Sequence, residues 1–291
     1  MLIAGVMGQD CMRFLDMCLD SLKTADRIIY IDGGSKDGSV EFARSMGCEI
    51  ITNEYNQEDS GANGKQRNIF LSYLKEKYPD EWCIFLDADE IVEDINKVKS
   101  FIQTADEGLY SVRMRHLIGD LAHEDSTTAV HHVPNRLFKI SEALTYPEVE
   151  HPVLNANYRH TTVPHRNNPK VNVWKHSEEV EGYSLVGTTD CTTIWHLAYI
   201  PNLWEIKKRY DCHVAKSNIH SPEFLKQWYF SHIFGSYPRS QFNPAELPRQ
   251  VLEKFGVDKS EFYFMNRKLE LKHLCDIYQW RDFFKLGEKD A

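Results

Sequence analysis

The sequence predicts an α/β fold in which a mostly parallel sheet is flanked by helices and followed by a helical extension. Over the first 110 of the 291 residues, short apolar runs alternate with segments of helical periodicity, a pattern typical of βαβ units. Two of the apolar runs end directly in acidic residues, Asp32 and Asp87. The chain divides into an α/β part at 1–110, further strands and loops of the same domain at 111–200, and a helical extension at 201–291.

Each predicted element has its own pattern. Strands are predicted over 2–7, 27–31, 48–52 and 82–86, and helices over 11–23, about 37–46 and 62–77. Asp37 or Ser39 can cap the second helix, Pro79 ends the third, and Gly33 and Gly34 supply a turn after the second strand. Further along, the patterns indicate strands over 110–118 and 136–140, loops over 141–190, and helices over 202–218, 222–234, 245–255 and 266–285.

Composition is that of an ordinary globular protein and excludes several classes. The apolar fraction is 42% and the charged fraction 26%, which rules out collagen-like, disordered and coiled-coil chains. Lys and Arg number 34 against 43 for Asp and Glu, and the net charge of −9 disfavours nucleic acid as a partner. There is no apolar run of about 20 residues and no basic start typical of a signal peptide.

The seven cysteines are scattered and never spaced as CxxC, which argues against a zinc site or a disulfide framework. A reducing compartment suits such a chain, so we expect a cytoplasmic protein. Peripheral contact with the inner face of a membrane stays open.

Acidic side chains gather where the second and fourth predicted strands end. In open α/β sheets ligands bind beyond the carboxyl ends of the strands, which places Asp32 and the run Asp-Ala-Asp-Glu at 87–90 at one edge. Alternatively, Asp32 is a turn or cap residue, and 87–90 forms the acidic start of a helix. The carboxylates crowded within 87–93 cost free energy unless a cation neutralises some of them. We therefore predict a Mn²⁺ or Mg²⁺ site at Asp87 and Asp89, whose side chains share one side of an extended chain.

Three segments resemble motifs of family 2 glycosyltransferases. Residues 31–39, Ile-Asp-Gly-Gly-Ser-Lys-Asp-Gly-Ser, are similar to that family's V-D-x-G-S-x-D-G-T segment. Residues 64–68, Gly-Lys-Gln-Arg-Asn, resemble the glycine and the Arg-Asn pair that open a helix in the family, and 87–89 resembles its D-x-D. The three occur in the family's order and cover roughly residues 1–110.

The resemblance implies a GT-A fold, in which 1–110 binds a nucleotide-diphosphate sugar and 111–200 lies on the acceptor side. Asp32 would contact the base, most often uracil, Arg67 would lie near the phosphates, and Asp87 near the ribose and the metal ion. Asp89 would be the main metal ligand. The residues assigned to the nucleotide sugar are Asp10, Asp32, Lys65, Arg67 and Asp87. Relatives often carry Asn-Glu where this chain has Gln-Asp at 9–10.

The second half resembles a subgroup of the family, the lipopolysaccharide-core glucosyltransferases. Residues 135–139, Asn-Arg-Leu-Phe-Lys, match an R-L-F segment of that subgroup. Residues 149–154 are similar to its V-H-E segment with the Glu and His exchanged, and 194–199 match its isolated histidine followed by an aromatic residue.

Sugar transfer from a nucleotide diphosphate needs a metal ion and a base. The ion stabilises the charge of the departing diphosphate, and His196 is a candidate protein ligand beside Asp89, because neutral imidazole is acceptable to Mn²⁺. The alternative for His196 is a core histidine. A carboxylate must deprotonate the acceptor hydroxyl, with inversion at the sugar carbon. Glu150 is the first candidate for that base, Glu148 the second and Asp190 the third.

The acceptor and two rival functions stay open. The acceptor is a glycan, a lipid-linked molecule or another hydroxyl compound, and the aromatic side chains predicted on the C-terminal helices suit sugars, lipids or simple packing. A nucleotidyltransferase would also need two such aspartates, but it usually carries a glycine-rich basic loop where this chain has Gly-Gln-Asp-Cys at 8–11. A non-catalytic relative that binds nucleotide sugars is the other alternative. The transferred sugar and the oligomeric state are not determined.

Overall fold

The structure is a computed structural model that describes residues 1–56, 59, 61–105, 109–118, 121, 123–125, 135–142, 144–146, 155–156, 162–165, 168–174, 185–199, 221, 239–241 and 243–255. Its strands are β1 (Leu2–Gly8), β2 (Arg27–Asp32), β3 (Glu49–Thr52), β4 (Trp82–Asp87), β5 (Glu90–Val92), β6 (Leu109–Ile118), β7 (His123–Asp125), β8 (Asn135–Lys139), β9 (Leu144–Thr145), β10 (Asn155–Ala156), β11 (Thr162–His165), β12 (Asn168–Trp174), β13 (Leu185–Tyr199) and β14 (Arg239–Gln241). Its helices are α1 (Met12–Ser21), α2 (Ser39–Ser45), α3 (Ala62–Lys77), α4 (Ile95–Phe101) and α5 (Arg249–Phe255), with a 3-10 turn at Pro244–Glu246.

A parallel unit at one side of the main sheet confirms the predicted α/β fold. Strands β3, β2, β1 and β4 lie side by side in that order, and all three pairs are parallel. Beyond β4 the sheet continues antiparallel through β8 to β6, while β13 pairs in parallel with β6 and antiparallel with β5. The remainder of the sheet is thus mixed, with β8 antiparallel to both of its neighbours.

Strands β1, β2 and β4 are buried on both faces, which explains their continuous apolar runs. On one face, Leu2, Ala4 and Val6 of β1 pack in a core with side chains of α1, α2 and α4. On the other face, Ile3 packs with side chains of α3. Gly5 lets α3 approach closely, because a Cβ there would lie 2.3 Å from the Phe70 ring.

Most predicted elements of the first part are confirmed, and two local expectations are wrong. Helix α3 has the predicted bounds. Helix α2 starts from Gly38, at φ 90°, without a side-chain cap from Asp37 or Ser39. Residues 87–90 do not begin a helix, since a turn leads from β4 into β5, and α4 is capped by Asp94, which accepts from the N–H of Asn96 at 2.9 Å.

The region predicted as loops, 141–190, contains the short strands β9 to β12 and the start of β13. These strands are short or polar, and so the apolar periodicity on which strand prediction depends is weak there. Of the predicted C-terminal helices, 245–255 corresponds to the 3-10 turn and α5, and the other three lie outside the described residues. Among the described elements, no helix is both long enough and apolar enough to cross a membrane.

Candidate active site

The carboxyl ends of the parallel strands bring the predicted acidic positions to one edge. In the parallel register, Gly8 of β1 lies beside Asp32 of β2, and Met7 lies beside Asp87 of β4. The sheet edge therefore carries Asp32 and Asp87 on either side of β1, as the strand order predicts.

Asp32 is 1% exposed and orders the loop that follows β2. Its carboxylate accepts from the backbone N–H of Gly34 at 2.9 Å and from that of Ser35 at 3.1 Å. Gly34 has a φ of 92°, which a glycine adopts readily. This confirms the predicted turn at the glycine pair. Asp32 therefore has a turn-forming role, which was the alternative prediction for this residue.

The loop after β1 is attached to the loop after β2. Asp10, at a φ of 50°, accepts from the backbone N–H of Lys36 at 2.8 Å, and its own N–H donates to Ser35 Oγ at 2.9 Å. The N–H of Met12 donates to Asp37 at 3.0 Å. The segment that resembles the family motif at 31–39 is therefore held in place partly by residues 10–12.

Two buried arginines hold Asp87. Arg67 of α3 donates to Asp87 Oδ1 at 2.7 Å, and Arg136 of β8 donates to Asp87 Oδ2 at 2.9 Å. Both arginines are 8% exposed, and the Arg67 guanidinium also lies 5.0 Å from the centre of the Phe85 ring. Burial disfavours the charged form of Asp87, but the two guanidiniums outweigh burial and hold the pKa of Asp87 well below its usual range.

Glu90 completes this charged cluster from β5. It is 1% exposed, forms an ion pair with Arg136, and accepts from the backbone N–H of Asp87 at 3.0 Å. Burial raises the pKa of Glu90, and the charge of Arg136 opposes that rise. Arg136 thus supports both carboxylates that flank the turn at 88–89.

These contacts correct the charge argument made from sequence. The crowded carboxylates at 87–90 do have cationic partners, but for Asp87 and Glu90 those partners are Arg67 and Arg136. The chain at 88–89 is a turn, not an extended segment. The expectation that Asp87 and Asp89 share one side of an extended chain is therefore wrong.

Asp89 faces a histidine pair instead. Its Oδ1 lies 3.7 Å from His196 Nε2, and the side chains of Asp89 and His196 are 16% and 15% exposed. Strand pairing explains the meeting: His196 of β13 lies opposite Glu90 of β5, and the Leu197 N–H donates to the Asp89 carbonyl at 2.9 Å. On its other side, His196 Nδ1 lies 2.7 Å from Nδ1 of His116, its neighbour in β6.

A carboxylate oxygen and an imidazole nitrogen at this separation are a chemically suitable donor pair for Mn²⁺. Among the described side chains, no group of three or more His, Cys, Asp and Glu could hold a metal ion. Asp89 and His196 therefore fit an ion whose other ligands come from elsewhere, such as phosphate oxygens or water.

The remaining candidates from the sequence lie at different distances from this cluster. Lys65 is in the first turn of α3, half exposed, and its Nζ donates to Asp59 at 2.6 Å. Asp190 is exposed and lies in an irregular part of β13, between the residues that pair with Val112 and Arg113. His196 pairs with His116, which is three to four residues beyond Val112 and Arg113 in β6. About 10–13 Å along the strand therefore separates Asp190 from His196.

Glu148 and Glu150 lie outside the described residues. The chain just before them is anchored: the Asn68 side chain exchanges two 2.8 Å hydrogen bonds with the backbone of Tyr146. The Tyr146 ring lies 5.7 Å from the Arg67 guanidinium. Residue 146 is therefore fixed beside the charged cluster.

Sequence reasoning gave no role to Arg136 or to His116. Arg136 belonged to a recognised segment, and a charged residue within a buried strand was the signal for an ion pair with the neighbouring acidic turn. His116 had no comparable signal, because the parallel pairing of β6 with β13 that brings it to His196 joins residues 80 positions apart.

A family model described as glycosyl transferase family 2 matches residues 12–150. The matched segment is a little under half of the chain. It contains Asp32, Arg67, Asp87 and Asp89 and ends before β13, so His196 lies outside the match. The α/β fold expected from sequence is confirmed, and the match agrees with the expected enzyme class, whereas the resemblance to the lipopolysaccharide-core subgroup stays a prediction.

Three solved structures are similar to this chain. TarS from S. aureus is 12% identical over 80% of this chain and 42% of its own, with a TM-score of 0.40. Its 1–349 fragment is 12% identical over 80% of this chain and 70% of its own, with a TM-score of 0.41. Glucosyl-3-phosphoglycerate synthase from Mycobacterium tuberculosis, in complex with Mn²⁺, uridine diphosphate and glucosyl-3-phosphoglycerate, is 17% identical over 42% of this chain and 46% of its own, with a TM-score of 0.30. This chain therefore spans less than half the length of TarS and of the synthase.

Proposed function

We propose that this protein moves a sugar from a nucleotide-diphosphate sugar to an acceptor hydroxyl with inversion, with UDP as the expected nucleotide and Mn²⁺ or Mg²⁺ as cofactor. One observation carries the proposal: Asp89 Oδ1 and His196 Nε2 lie 3.7 Å apart at the end of β4, on the edge where β1 and β2 also end. The edge of a parallel sheet is where this fold class binds ligands, and this donor pair suits a divalent ion.

The two attached loops after β1 and β2 support the nucleotide part of the proposal. Asp32 is almost inaccessible and is occupied by backbone N–H groups, so we assign it to the base through the loop that it orders. Asp10 fixes the neighbouring loop, and Lys65, whose Nζ pairs with Asp59 in the first turn of α3, is assigned to a phosphate. Arg67 holds Asp87 in place, so the negative charge of that carboxylate offsets part of the attraction between Arg67 and the nucleotide.

Asp89 and His196 would hold the metal ion. When bound, the ion would supply Lewis-acid stabilisation of the negative charge on the departing diphosphate. Around it, Arg136 and Arg67 neutralise Asp87 and Glu90, so these carboxylates add little negative charge at the place where the diphosphate must bind.

The base that deprotonates the acceptor is assigned to the residues that follow Tyr146 in the sequence. Glu150 remains the first candidate and Glu148 the second, because Tyr146 precedes them by a few positions and is anchored beside Arg67. Asp190 is the least suited, since its position in β13 is distant from Asp89. Replacing the true base by its amide is expected to reduce kcat by about 10²–10⁴-fold.

The acceptor is assigned only by chemistry, as a hydroxyl on a glycan, a lipid-linked molecule or another small compound. We place the activity in the cytoplasm, in keeping with the five cysteines that the structure describes as free thiols.

The experiment that tests the proposal is a screen of nucleotide sugars, with and without Mn²⁺, for release of the nucleotide. We expect one donor to be turned over only with the metal ion, and Asp89→Asn to remove that turnover. Asp20→Asn is the matched control, because Asp20 at the end of α1 forms an exposed ion pair with Lys23, two residues beyond the helix. Full metal-dependent turnover by Asp89→Asn would contradict the assignment, and tight donor binding without any turnover would indicate the non-catalytic alternative.

A further inference from the structure

The histidine pair between β6 and β13 has a geometry that a simple packing role does not require. His116 Nδ1 and His196 Nδ1 are 2.7 Å apart, and the two rings meet edge to face with their centres 4.8 Å apart. A distance of 2.7 Å between two ring nitrogens requires one of them to donate and the other to accept. Each histidine therefore constrains which nitrogen of the other carries the proton.

The strands fix this pair from both sides. Along β6 and β13, Arg115 pairs with Trp195 and His116 pairs with His196. Arg115 and Trp195 are directed to the opposite face, where the guanidinium lies 4.3 Å from the centre of the Trp195 ring. Because side chains alternate along a strand, this stacked pair holds the histidines on the face that carries Asp89.

Metal binding requires one specific arrangement of protons in this pair. If His196 Nε2 is to give its lone pair to an ion beside Asp89, the proton of the neutral ring must be on Nδ1. His116 Nδ1 is then the acceptor at 2.7 Å, and the proton of His116 is on its Nε2. In the opposite arrangement His196 carries a proton on Nε2, directed at Asp89, and it cannot bind an ion.

We propose that His116 is a positioning residue that accepts the Nδ1–H of His196 and thereby directs the Nε2 lone pair of His196 towards the ion held by Asp89. This inference rests on the proposed function, since it concerns the same site. Metal-binding histidines generally donate their second N–H to a fixed acceptor, and loss of that acceptor weakens metal affinity by about 10–100-fold. Here the acceptor is another imidazole, supplied by the neighbouring strand.

The test measures the affinity of Mn²⁺ for the full chain in the presence of UDP, by electron paramagnetic resonance of the free ion. We expect His116→Phe to weaken Mn²⁺ binding by about 10–100-fold. His116→Asn should keep most of the affinity, because an Asn amide oxygen can accept the same hydrogen bond. Both variants are compared by thermal unfolding without metal, so that a loss of fold is recognised.

Two outcomes separate this inference from the proposed function. If His196→Ala weakens Mn²⁺ binding while His116→Phe binds it like the wild type, the inference is overturned and the metal site stands. If His196→Ala itself binds Mn²⁺ like the wild type, the metal site is wrong and the inference is overturned with it.

A second measurement on the unmutated chain covers the case in which His116→Phe does not fold. Nitrogen NMR of histidine-labelled protein with Mg²⁺ and UDP should show the His196 proton on Nδ1 and the His116 proton on Nε2. A His196 proton on Nε2 in that complex would overturn the inference.

Discussion

At the scale of single residues, the charged cluster behind the site is the most informative feature. Arg136 pairs with Asp87 and Glu90, and Glu90 is almost fully buried. Whether a buried ion pair adds net stability depends on its desolvation, but removing one partner leaves an uncompensated buried charge. The stability of the fold therefore depends strongly on Arg136.

Replacement of Arg136 by Met should lower the free energy of unfolding by about 3–5 kcal/mol, since Glu90 and Asp87 lose their shared partner. Urea unfolding followed by circular dichroism measures this loss. Arg249→Met is the matched control, because Arg249 forms an exposed pair with Glu253 four residues away, and its effect should be much smaller. Adding Glu90→Leu to Arg136→Met should restore part of the stability. Equal losses of stability in Arg136→Met and Arg249→Met would contradict the role of the buried charge.

The residue scale also shows where sequence reasoning was limited. The positions of Asp32, Asp87 and Asp89 were predictable, because a strand that ends in an acidic residue is visible in the sequence. The partners of those aspartates were not, since Arg67, Arg136 and His196 reach the edge from α3, β8 and β13 through pairings that no local pattern contains.

Among the elements, β1, β2 and α4 are joined by Asp26 at the end of the sheet opposite to the site. Its carboxylate accepts from the Leu2 N–H at the start of β1, at 2.7 Å, and from Lys99 of α4, also at 2.7 Å. The hydrogen bond from Lys99, followed by that from Leu2, lowers the pKa of Asp26. A carboxylate with a lowered pKa in the folded state stabilises the fold above its unfolded pKa, and that stability is lost as the pH falls through the folded value.

Asp26→Asn should therefore be less stable than the wild type near pH 7, and the difference should shrink as the pH falls below about 4. Urea midpoints of the two proteins at pH 7, 5 and 3 measure the effect. Asp20→Asn serves as the control, because Asp20 forms only an exposed ion pair with Lys23, three residues along the chain. A difference between Asp26→Asn and wild type that is independent of pH would show that the carboxylate charge is not responsible.

Elements of the parallel unit were the most predictable part of the fold. There, apolar runs, glycine turns and a helix with an apolar stripe agree with one another, and α3 was predicted to the residue. Strand β5 and the turn at 88–89 were missed, because three residues are too few to show periodicity and the acidic run resembles a helix start.

At the scale of the whole molecule, the described C-terminal segment is part of the same core as the site. Leu247 and Val251 are buried against Phe14 and Met17 of α1 and against Trp195, the residue before His196. Lys254 also forms an ion pair with Asp16 of α1. Residues 243–255 therefore support the strand that carries His196. A separate extension beginning at residue 201, as predicted from the sequence, does not imply such contacts.

Leu247→Ala should lower the free energy of unfolding by about 2–5 kcal/mol, as expected for a large side chain removed from a core. Leu252 is only partly buried at the edge of the same cluster, so Leu252→Ala is the control and should have a smaller effect. Hydrogen exchange adds the location: amides of β13 should lose protection in Leu247→Ala. If exchange rose only within 249–255, the segment would be an independent attachment and not part of this core.

Calorimetric titration of UDP in the presence of Mn²⁺ measures whether Asp89 holds the metal ion. The wild type should bind UDP more tightly with Mn²⁺ than without it, and Asp89→Asn should lose this difference while its unfolding midpoint stays close to that of the wild type. If Asp89→Asn kept the same metal-dependent gain in UDP affinity, the ion would lie elsewhere in the protein.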